Sequence, residues 1–320
     1  MDTNLQLNKK ISIGISFYRM SAEEWIKIFN QFHPYICDIF FSPVEKIEYQ
    51  TRRKVYDYDT QDIPFLENEL TKVLDAAKDF GISRKIVLNV PSFINDCNEL
   101  VPLYEKYKNK YNVELVTTFL SCAKRIKEIA PEQSITCSYN QGIKSREELE
   151  YLLATDVFDT IVLGTNFFRD IDSYKLIHKY GKKVELLLNN GCMRNCKSFC
   201  RYPNIYCSNN FEINLIDKDL NKLYAECSMF PEEVHKYLIP LGLIDFYKLS
   251  TRPIFYKQMV DMLSSYIQGN SSMYISSNYK NYNLYGRLAH FHPYYSELNY
   301  DSIIKNKENI WEESMKSYEI

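Results

Sequence analysis

The stretch TIVLGTNFFRDIDSYKLIHKYGKKVELLL, residues 160–188, decides the fold of this chain. Apolar runs of strand length occupy 160–164 and 184–188, and between them a helical pattern at 171–180 ends at Gly181. A strand, a helix and a strand in this order predict a parallel β-α-β unit with a right-handed crossover.

The same alternation continues toward both termini. Five further strand patterns lie at 11–17, 36–41, 85–90, 134–139 and 246–249. Seven strand patterns over about 250 residues favour a TIM-like (β/α) barrel of the α/β class over a doubly wound open sheet. The open sheet would place a Gly-rich phosphate turn after the first strand, where the chain instead has SFYRM at 16–20.

The strand count is one short of a complete barrel, because we interpret residues 115–130 as helical and find no other strand pattern. The sequence therefore leaves open an irregular or incompletely closed barrel. We place the barrel in residues 1–270, with a Cys-rich loop at about 189–230 between the sixth and seventh strand patterns. Residues 271–320 are predicted to form a Tyr-rich appendage packed on the barrel.

Composition excludes several classes of protein. Lys and Arg number 39 against 41 Asp and Glu, so binding of nucleic acid by bulk electrostatics is not expected. We find no apolar run of about 18 residues and no secretory apolar region, and we therefore expect a cytoplasmic protein without a membrane segment. In that compartment the 9 cysteines are expected to be thiols or metal ligands.

Five of these cysteines lie within 36 residues, in the spacing C-x3-C-x3-C-x6-C-x19-C: Cys192, Cys196, Cys200, Cys207 and Cys227. Thiolates that converge from one loop bind either zinc or an iron–sulfur cluster. Common zinc sites use paired C-x2-C elements, so the wider spacing favours a cluster, with zinc as the alternative. Radical SAM enzymes carry C-x3-C-x2-C after the first strand, where this chain has no cysteine.

Functional residues of a barrel lie where the strands end at their carboxyl side. A substrate pocket is predicted from one carboxylate and four amides in or after these strands: Glu185, Asn89, Asn140, Asn166 and Asn189. Arg169, Lys248 and Arg252 are predicted to face the same mouth as catalytic charges. Surface ion pairs are an alternative for all three, and Lys248 can instead point into the barrel toward Glu185.

Two segments carry a resemblance to a known family. VELLLNNGCMRNC at 184–196 and LGLIDFYKLSTRP at 241–253 resemble the collagenase-like U-thirty-two peptidase family, which includes UbiU and UbiV of oxygen-independent ubiquinone hydroxylation. Gly242, Asp245, Lys248 and Arg252 occupy positions of the family pattern. Arg169 and Asp170 resemble its Arg-acid element after an earlier strand.

The resemblance implies a barrel that holds a 4Fe-4S cluster. Cys192 and Cys196 match the first two ligands, and Cys207 and Cys227 are the candidates for the others, with Cys200 as a substitute. We therefore expect a cluster-dependent modifying enzyme that performs oxygen-independent hydroxylation, or a related redox modification, of a small polar molecule or an RNA base. It would act with a related partner subunit. The alternative is a peptidase-like or accessory subunit whose cluster is structural.

Overall fold

Eight parallel strands close into a barrel in the computed structural model, which describes residues 7–17, 19–44, 63–89, 97–189, 219–250, 254–271 and 299–316. Each strand pairs with the next along the chain, and the first pairs with the last. The strands are β1 (Ile11–Gly14), β2 (Ile36–Phe41), β3 (Ser83–Leu88), β4 (Glu114–Thr117), β5 (Ile135–Cys137), β6 (Thr160–Leu163), β7 (Lys183–Leu187) and β8 (Phe246–Leu249).

Helices surround the barrel in the order of the chain. They are α1 (Ala22–Phe32), α2 (Ile63–Asp79), α3 (Cys97–Tyr111), α4 (Leu120–Ile129), α5 (Arg146–Leu153), α6 (Ile171–Lys179), α7 (Leu220–Cys227), α9 (Tyr256–Gln268) and α10 (Tyr300–Lys316). Between α7 and β8, the helical segment α8 consists of Pro231–Glu233, the π-helical turn Val234–Leu238, and Ile239–Leu241. None of the helices described here is long and apolar enough to cross a lipid bilayer.

The TIM-like barrel predicted from the sequence is confirmed, but the doubt about its closure was wrong. The missed strand is β4, whose four residues lie in the segment predicted as helix from 115 onward. The helix begins only at Leu120, because the preceding residues pair with β3 and β5. The cysteine segment therefore lies between the seventh and eighth strands rather than between the sixth and seventh.

The main hydrophobic core lies between the strands and the helices. Trp25 of α1 is fully buried there, and its indole N–H donates to the backbone oxygen of Ser16 at 3.0 Å. Ser21 caps α1 through the predicted exchange of hydrogen bonds with Glu24. A different set of side chains fills the inside of the barrel. One layer of these side chains is charged, and the layer above it is mainly apolar.

The C-terminal helix α10 was not predicted, because residues 271–320 were interpreted as a Tyr-rich appendage. It packs against α7, with Ile303 and Trp311 buried. Tyr266, shortly before the predicted appendage, belongs to α9 and is buried. The division into a barrel and an appendage stays a prediction, since residues 272–298 lie outside the described part of the chain.

Candidate functional site

Four charged side chains form a buried cluster inside the barrel. Asp38, Lys85, Glu185 and Lys248 are each the third residue of a strand, on β2, β3, β7 and β8. Lys85 Nζ lies 2.8 Å from Asp38 Oδ2 and 3.8 Å from Glu185 Oε2, and Lys248 Nζ lies 2.7 Å from Glu185 Oε1. We call these four residues the lumen quartet. Its two positive and two negative charges balance.

The opposite charges of the quartet shift the pKa values of its members. Burial raises the pKa of Asp38, but Lys85 and Lys248 outweigh it and hold that pKa below its usual value. Burial lowers the pKa of Lys85, but Asp38 and Glu185 outweigh it and raise that pKa above its usual value. Both groups are therefore charged at neutral pH, which is how buried ionisable groups persist in a protein interior.

A pocket opens above the quartet, at the carboxyl ends of the strands. It contains about 610 Å³ of empty space, counted together with its opening to solvent. Side chains in a strand alternate, so the residues two positions after the quartet also face the barrel interior. Phe40, Val87, Leu187 and Ser250 follow the quartet in this way, and all four line the pocket. The pocket is thus the layer directly above the charges.

Lys248 is the one quartet residue that also lines the pocket, and it forms part of the floor. Its ammonium lies 3.9 Å from the centroid of the Phe40 ring, in addition to its contact with Glu185. The sequence analysis allowed for an inward Lys248 paired with Glu185, and that interpretation is confirmed. Glu185 itself is fully buried beneath Lys248 rather than in the pocket wall.

Asn89 supplies an amide to the pocket wall, as predicted. Its Nδ2 donates to Ser138 Oγ at 2.9 Å, which joins the ends of β3 and β5. Its Oδ1 is buried and has no hydrogen-bond partner among the described residues. An unpaired buried acceptor costs about 1–3 kcal/mol, which a hydrogen bond from a donor would recover.

The other predicted amides have different places. Asn140 lines the pocket and is exposed. Asn166 lines a smaller neighbouring cavity, which shares Tyr139 with the pocket. Asn189 is fully buried, and its amide exchanges two 2.7 Å hydrogen bonds with the backbone of Ser250. Asn189 therefore fastens the end of β7 to the end of β8, and its prediction as a pocket residue is corrected to a structural clamp.

Arg169 does not face the barrel mouth, which corrects its prediction as a catalytic residue. Its guanidinium is buried and donates to Glu233 Oε1 from Nη2. Lys307 Nζ of α10 lies 2.7 Å from Glu233 Oε2, and the indole N–H of Trp311 donates to Glu233 Oε1 at 2.9 Å. We call Arg169, Glu233, Lys307 and Trp311 the α10 anchor, because they fasten that helix to the rest of the chain.

The α10 anchor also caps the C-terminus of α7. Arg169 donates to the backbone oxygens of Ala225 and Ser228, at 3.2 and 3.1 Å, and Lys307 donates to the same two oxygens. Cations at a helix C-terminus satisfy its unpaired carbonyls and its negative dipole. Cys227 lies between these two residues and is fully buried.

Cys227 is the one cysteine of the predicted ligand set that the structure describes. Burial lowers the pKa of Lys307 to about 8, with a further contribution from Arg169, whereas Glu233 and Cys227 act in the opposite direction. Cys227 is a fully buried thiol beside the α10 anchor, and its role as a ligand stays a prediction.

The remaining predicted ligands, Cys192, Cys196, Cys200 and Cys207, lie outside the described residues, as does the predicted catalytic Arg252. Within the described ranges, no group of three or more His, Cys, Asp or Glu side chains is arranged to hold a metal ion. The ligand set stays a prediction.

Four residues of the site were not predicted from the sequence: Asp38, Lys85, Phe40 and Ser138. A signal for the first two was present, because Asp38 stands inside the apolar run ICDIFF (36–41) and Lys85 begins the apolar run KIVLNV (85–90). A charge inside a buried strand requires a partner of opposite sign. The pairing of Asp38 with Lys85 could therefore have been predicted from the sequence. The position of Phe40 over Lys248 could not, because it depends on how the barrel closes.

Comparisons with known proteins identify no family for this chain. The sequence matches no protein-family model, and no curated protein is significantly similar to it. A glycerophosphodiester phosphodiesterase from Parabacteroides distasonis is 12% identical with a TM-score of 0.43, covering 81% of this chain and 98% of that one. An enolase of the mandelate racemase subgroup from Agrobacterium tumefaciens is 12% identical with a TM-score of 0.43, covering 77% and 56%. Similarity at this level carries no argument about activity.

Proposed function

We propose that this chain is a cytoplasmic iron–sulfur enzyme that modifies a small polar substrate in the pocket at the barrel mouth. The observation that carries the proposal is the course of β7. Leu187, the last residue of β7, lines the pocket, and Cys192 follows it by five residues in the sequence. A cluster bound by this segment would therefore be attached directly to a wall of the pocket.

The residues of this chain supply binding and orientation. The Lys248 ammonium can donate a hydrogen bond to a substrate oxygen, while Glu185 keeps the charge of Lys248 neutralised from below. The apolar side chains of Phe40, Val87 and Leu187 exclude water from the floor. Cys192, Cys196, Cys207 and Cys227, with Cys200 as a substitute, would hold the 4Fe-4S cluster, which supplies electron transfer when bound.

The resemblance to the collagenase-like U-thirty-two peptidase family supports this reading and the reaction class of oxygen-independent hydroxylation or a related redox modification. It also supports a related partner subunit. Peptide hydrolysis is less well supported, because it needs an activated nucleophile, and the described residues that line the pocket include no histidine that could act as the base. A small molecule or a single RNA base fits the pocket better than a folded protein does.

One observation favours an accessory subunit with a structural cluster as the second candidate. Cys227 lies against the α10 anchor rather than among the residues that line the pocket. A cluster held there would join α7, α10 and the loop after β6. Such a cluster would stabilise the chain while a partner performed the chemistry.

The two candidates are distinguished by comparing strains grown without oxygen. A deletion strain and a Cys192→Ala strain are profiled for small molecules and for modified RNA bases. We expect the same product to be missing from both strains, because the enzyme needs its cluster. A Cys192→Ala strain with a wild-type profile, beside a deletion strain that lacks a product, would favour the accessory role.

Replacing a predicted ligand cysteine should remove the metal, whereas replacing a cysteine elsewhere in the chain should not. Cys192→Ala and Cys196→Ala are expected to abolish iron binding, because each removes an anionic ligand. Cys37→Ala is the matched control: burial and the adjacent Asp38 raise the pKa of the Cys37 thiol, which disfavours a thiolate. Cys37 also stands at the opposite end of the barrel, at the start of β2. Iron content after anaerobic purification checks both, and iron loss in Cys37→Ala alone would overturn the ligand assignment.

A further inference from the structure

We propose that the pocket selects an uncharged carboxamide-like group carried on an apolar body. In this inference, a carbonyl oxygen of the ligand accepts a hydrogen bond from Lys248 and an N–H of the ligand donates to Asn89. The inference names the substrate class of the pocket, and it rests on the proposed use of that pocket as the reaction site.

The charges around the floor favour a neutral ligand over an anion. Among the described residues that line the pocket, Lys248 is the one that carries a charge, and Glu185 already neutralises it at 2.7 Å. Glu185 is fully buried, and the remaining quartet charges, Lys85 and Asp38, neutralise each other at 2.8 Å. A carboxylate ligand would have to share one ammonium with Glu185 and would be repelled by it, since two like charges in a low-dielectric site disfavour each other.

The amide of Asn89 requires a donor from the ligand. Asn89 lines the pocket; its Nδ2 is occupied by Ser138, and its Oδ1 is a buried acceptor without a partner in the described part of the chain. A carboxylate or a ketone offers only acceptors and would leave Oδ1 unpaired. A carboxamide offers an N–H beside a carbonyl oxygen, so it can satisfy Asn89 and accept from Lys248 at the same time.

The remaining wall determines the body of the ligand. Phe40, Val87, Val116 and Leu187 are apolar and line the same pocket, and three of them form a separate apolar group inside the barrel. Such a surface binds a flat or compact apolar group and offers it no hydrogen bond. The ligand class is therefore an apolar body with one carboxamide-like end directed at the floor.

Three probes of nearly equal shape test this assignment: benzamide, benzoate and acetophenone. We expect benzamide to bind the purified wild-type protein about tenfold more tightly than either of the others, which corresponds to one well-formed hydrogen bond. Titration calorimetry or ligand-observed NMR gives the three dissociation constants. Tighter binding of benzoate would show an anion site and overturn the inference, as would equal binding of the three probes or no binding.

Two variants and a control locate the contacts. Asn89→Leu should abolish the preference for benzamide over acetophenone, and Lys248→Met should weaken binding of both. Asn166→Ala removes an amide from the neighbouring cavity and should leave all three affinities unchanged. Each variant is first compared with wild type by circular dichroism. If Asn89→Leu does not fold, the wild-type ranking of the three probes still decides.

The test is independent of the cluster, because the probes report binding rather than turnover. Cys192→Ala protein should keep the preference for benzamide even where its iron is lost. A preserved preference in wild-type protein that binds no iron after anaerobic reconstitution would overturn the proposed iron–sulfur function and leave this inference standing. If iron-loaded wild-type protein shows no preference for benzamide, the ligand class is overturned and the proposed iron–sulfur function stands.

Discussion

Replacing Glu233 by Gln is expected to lower the free energy of unfolding by about 3–5 kcal/mol, because it leaves two buried cations without their shared carboxylate. Arg169 and Lys307 both contact Glu233, and all three side chains are almost fully buried. The helix α10 should be the first element released, since Lys307 and Trp311 attach it to Glu233. Chemical denaturation gives the loss, and hydrogen exchange over 300–316 gives its location.

The matched control for Glu233→Gln is Glu308→Gln, in an ion pair between the same two helices. Glu308 pairs with Lys236 at 3.2 Å, but both side chains are at least half exposed. Its removal should change the free energy of unfolding by about 0.5 kcal/mol or less. Equal effects of the two substitutions would show that the α10 anchor is not a buried charge cluster.

The effect of Glu233 should depend on pH in a defined direction. Burial raises the pKa of Glu233, but Arg169 and Lys307 outweigh it and hold that pKa below its usual value. The stabilisation is therefore fully present above the unfolded-state pKa of about 4.3 and is lost as the pH falls through the lowered native pKa. The stability difference between wild type and Glu233→Gln should shrink in that acidic range, and a constant difference would contradict the assignment.

Replacing Glu185 by Gln is the second substitution with a large expected effect, again about 3–5 kcal/mol. It deprives Lys248 of the carboxylate 2.7 Å away and leaves the charge of the quartet at one excess cation. Glu185 is fully buried, so water cannot replace the lost interaction. Urea denaturation of the purified variant measures the loss.

A double substitution distinguishes the loss of the ion pair from the cost of one unpaired buried charge. Replacing both partners, as Glu185→Leu with Lys248→Met, should be less destabilising than Glu185→Gln alone, because no unpaired charge stays buried. The exposed pair Arg125–Glu128 on α4 provides the control, and Glu128→Gln should have little effect. A double variant less stable than the single variant would contradict a compensated charge pair in the lumen.

The barrel was predictable because its strands and helices differ in hydrophobic period. Residues 160–188 carry a complete strand–helix–strand pattern, and the structure has β6, α6 and β7 there. β4 was not predictable in the same way, because its four residues run almost directly into the apolar spacing of α4. Only the pairing of β4 with β3 and β5 separates the two elements.

The site was partly predictable, because a charged residue in a buried strand needs a partner of opposite charge, and both can be sought in the sequence. An inward Lys248 required a carboxylate, and Glu185 was the named partner. Arg169 could not be placed in this way, because its partner Glu233 lies 64 residues away and Lys307 belongs to a helix that showed no clear pattern. A residue that directly follows a strand is predicted to lie at the mouth of the barrel, but its position does not predict the direction of a long side chain.

The central claim is that the cysteine segment between β7 and β8 holds an iron–sulfur cluster. Iron and acid-labile sulfide are measured together on full-length protein purified without oxygen, with zinc measured in the same sample. We expect a brown protein with about four iron atoms and about four sulfides per chain. A colourless protein with stoichiometric zinc and no sulfide, after anaerobic reconstitution with iron and sulfide, would contradict the claim.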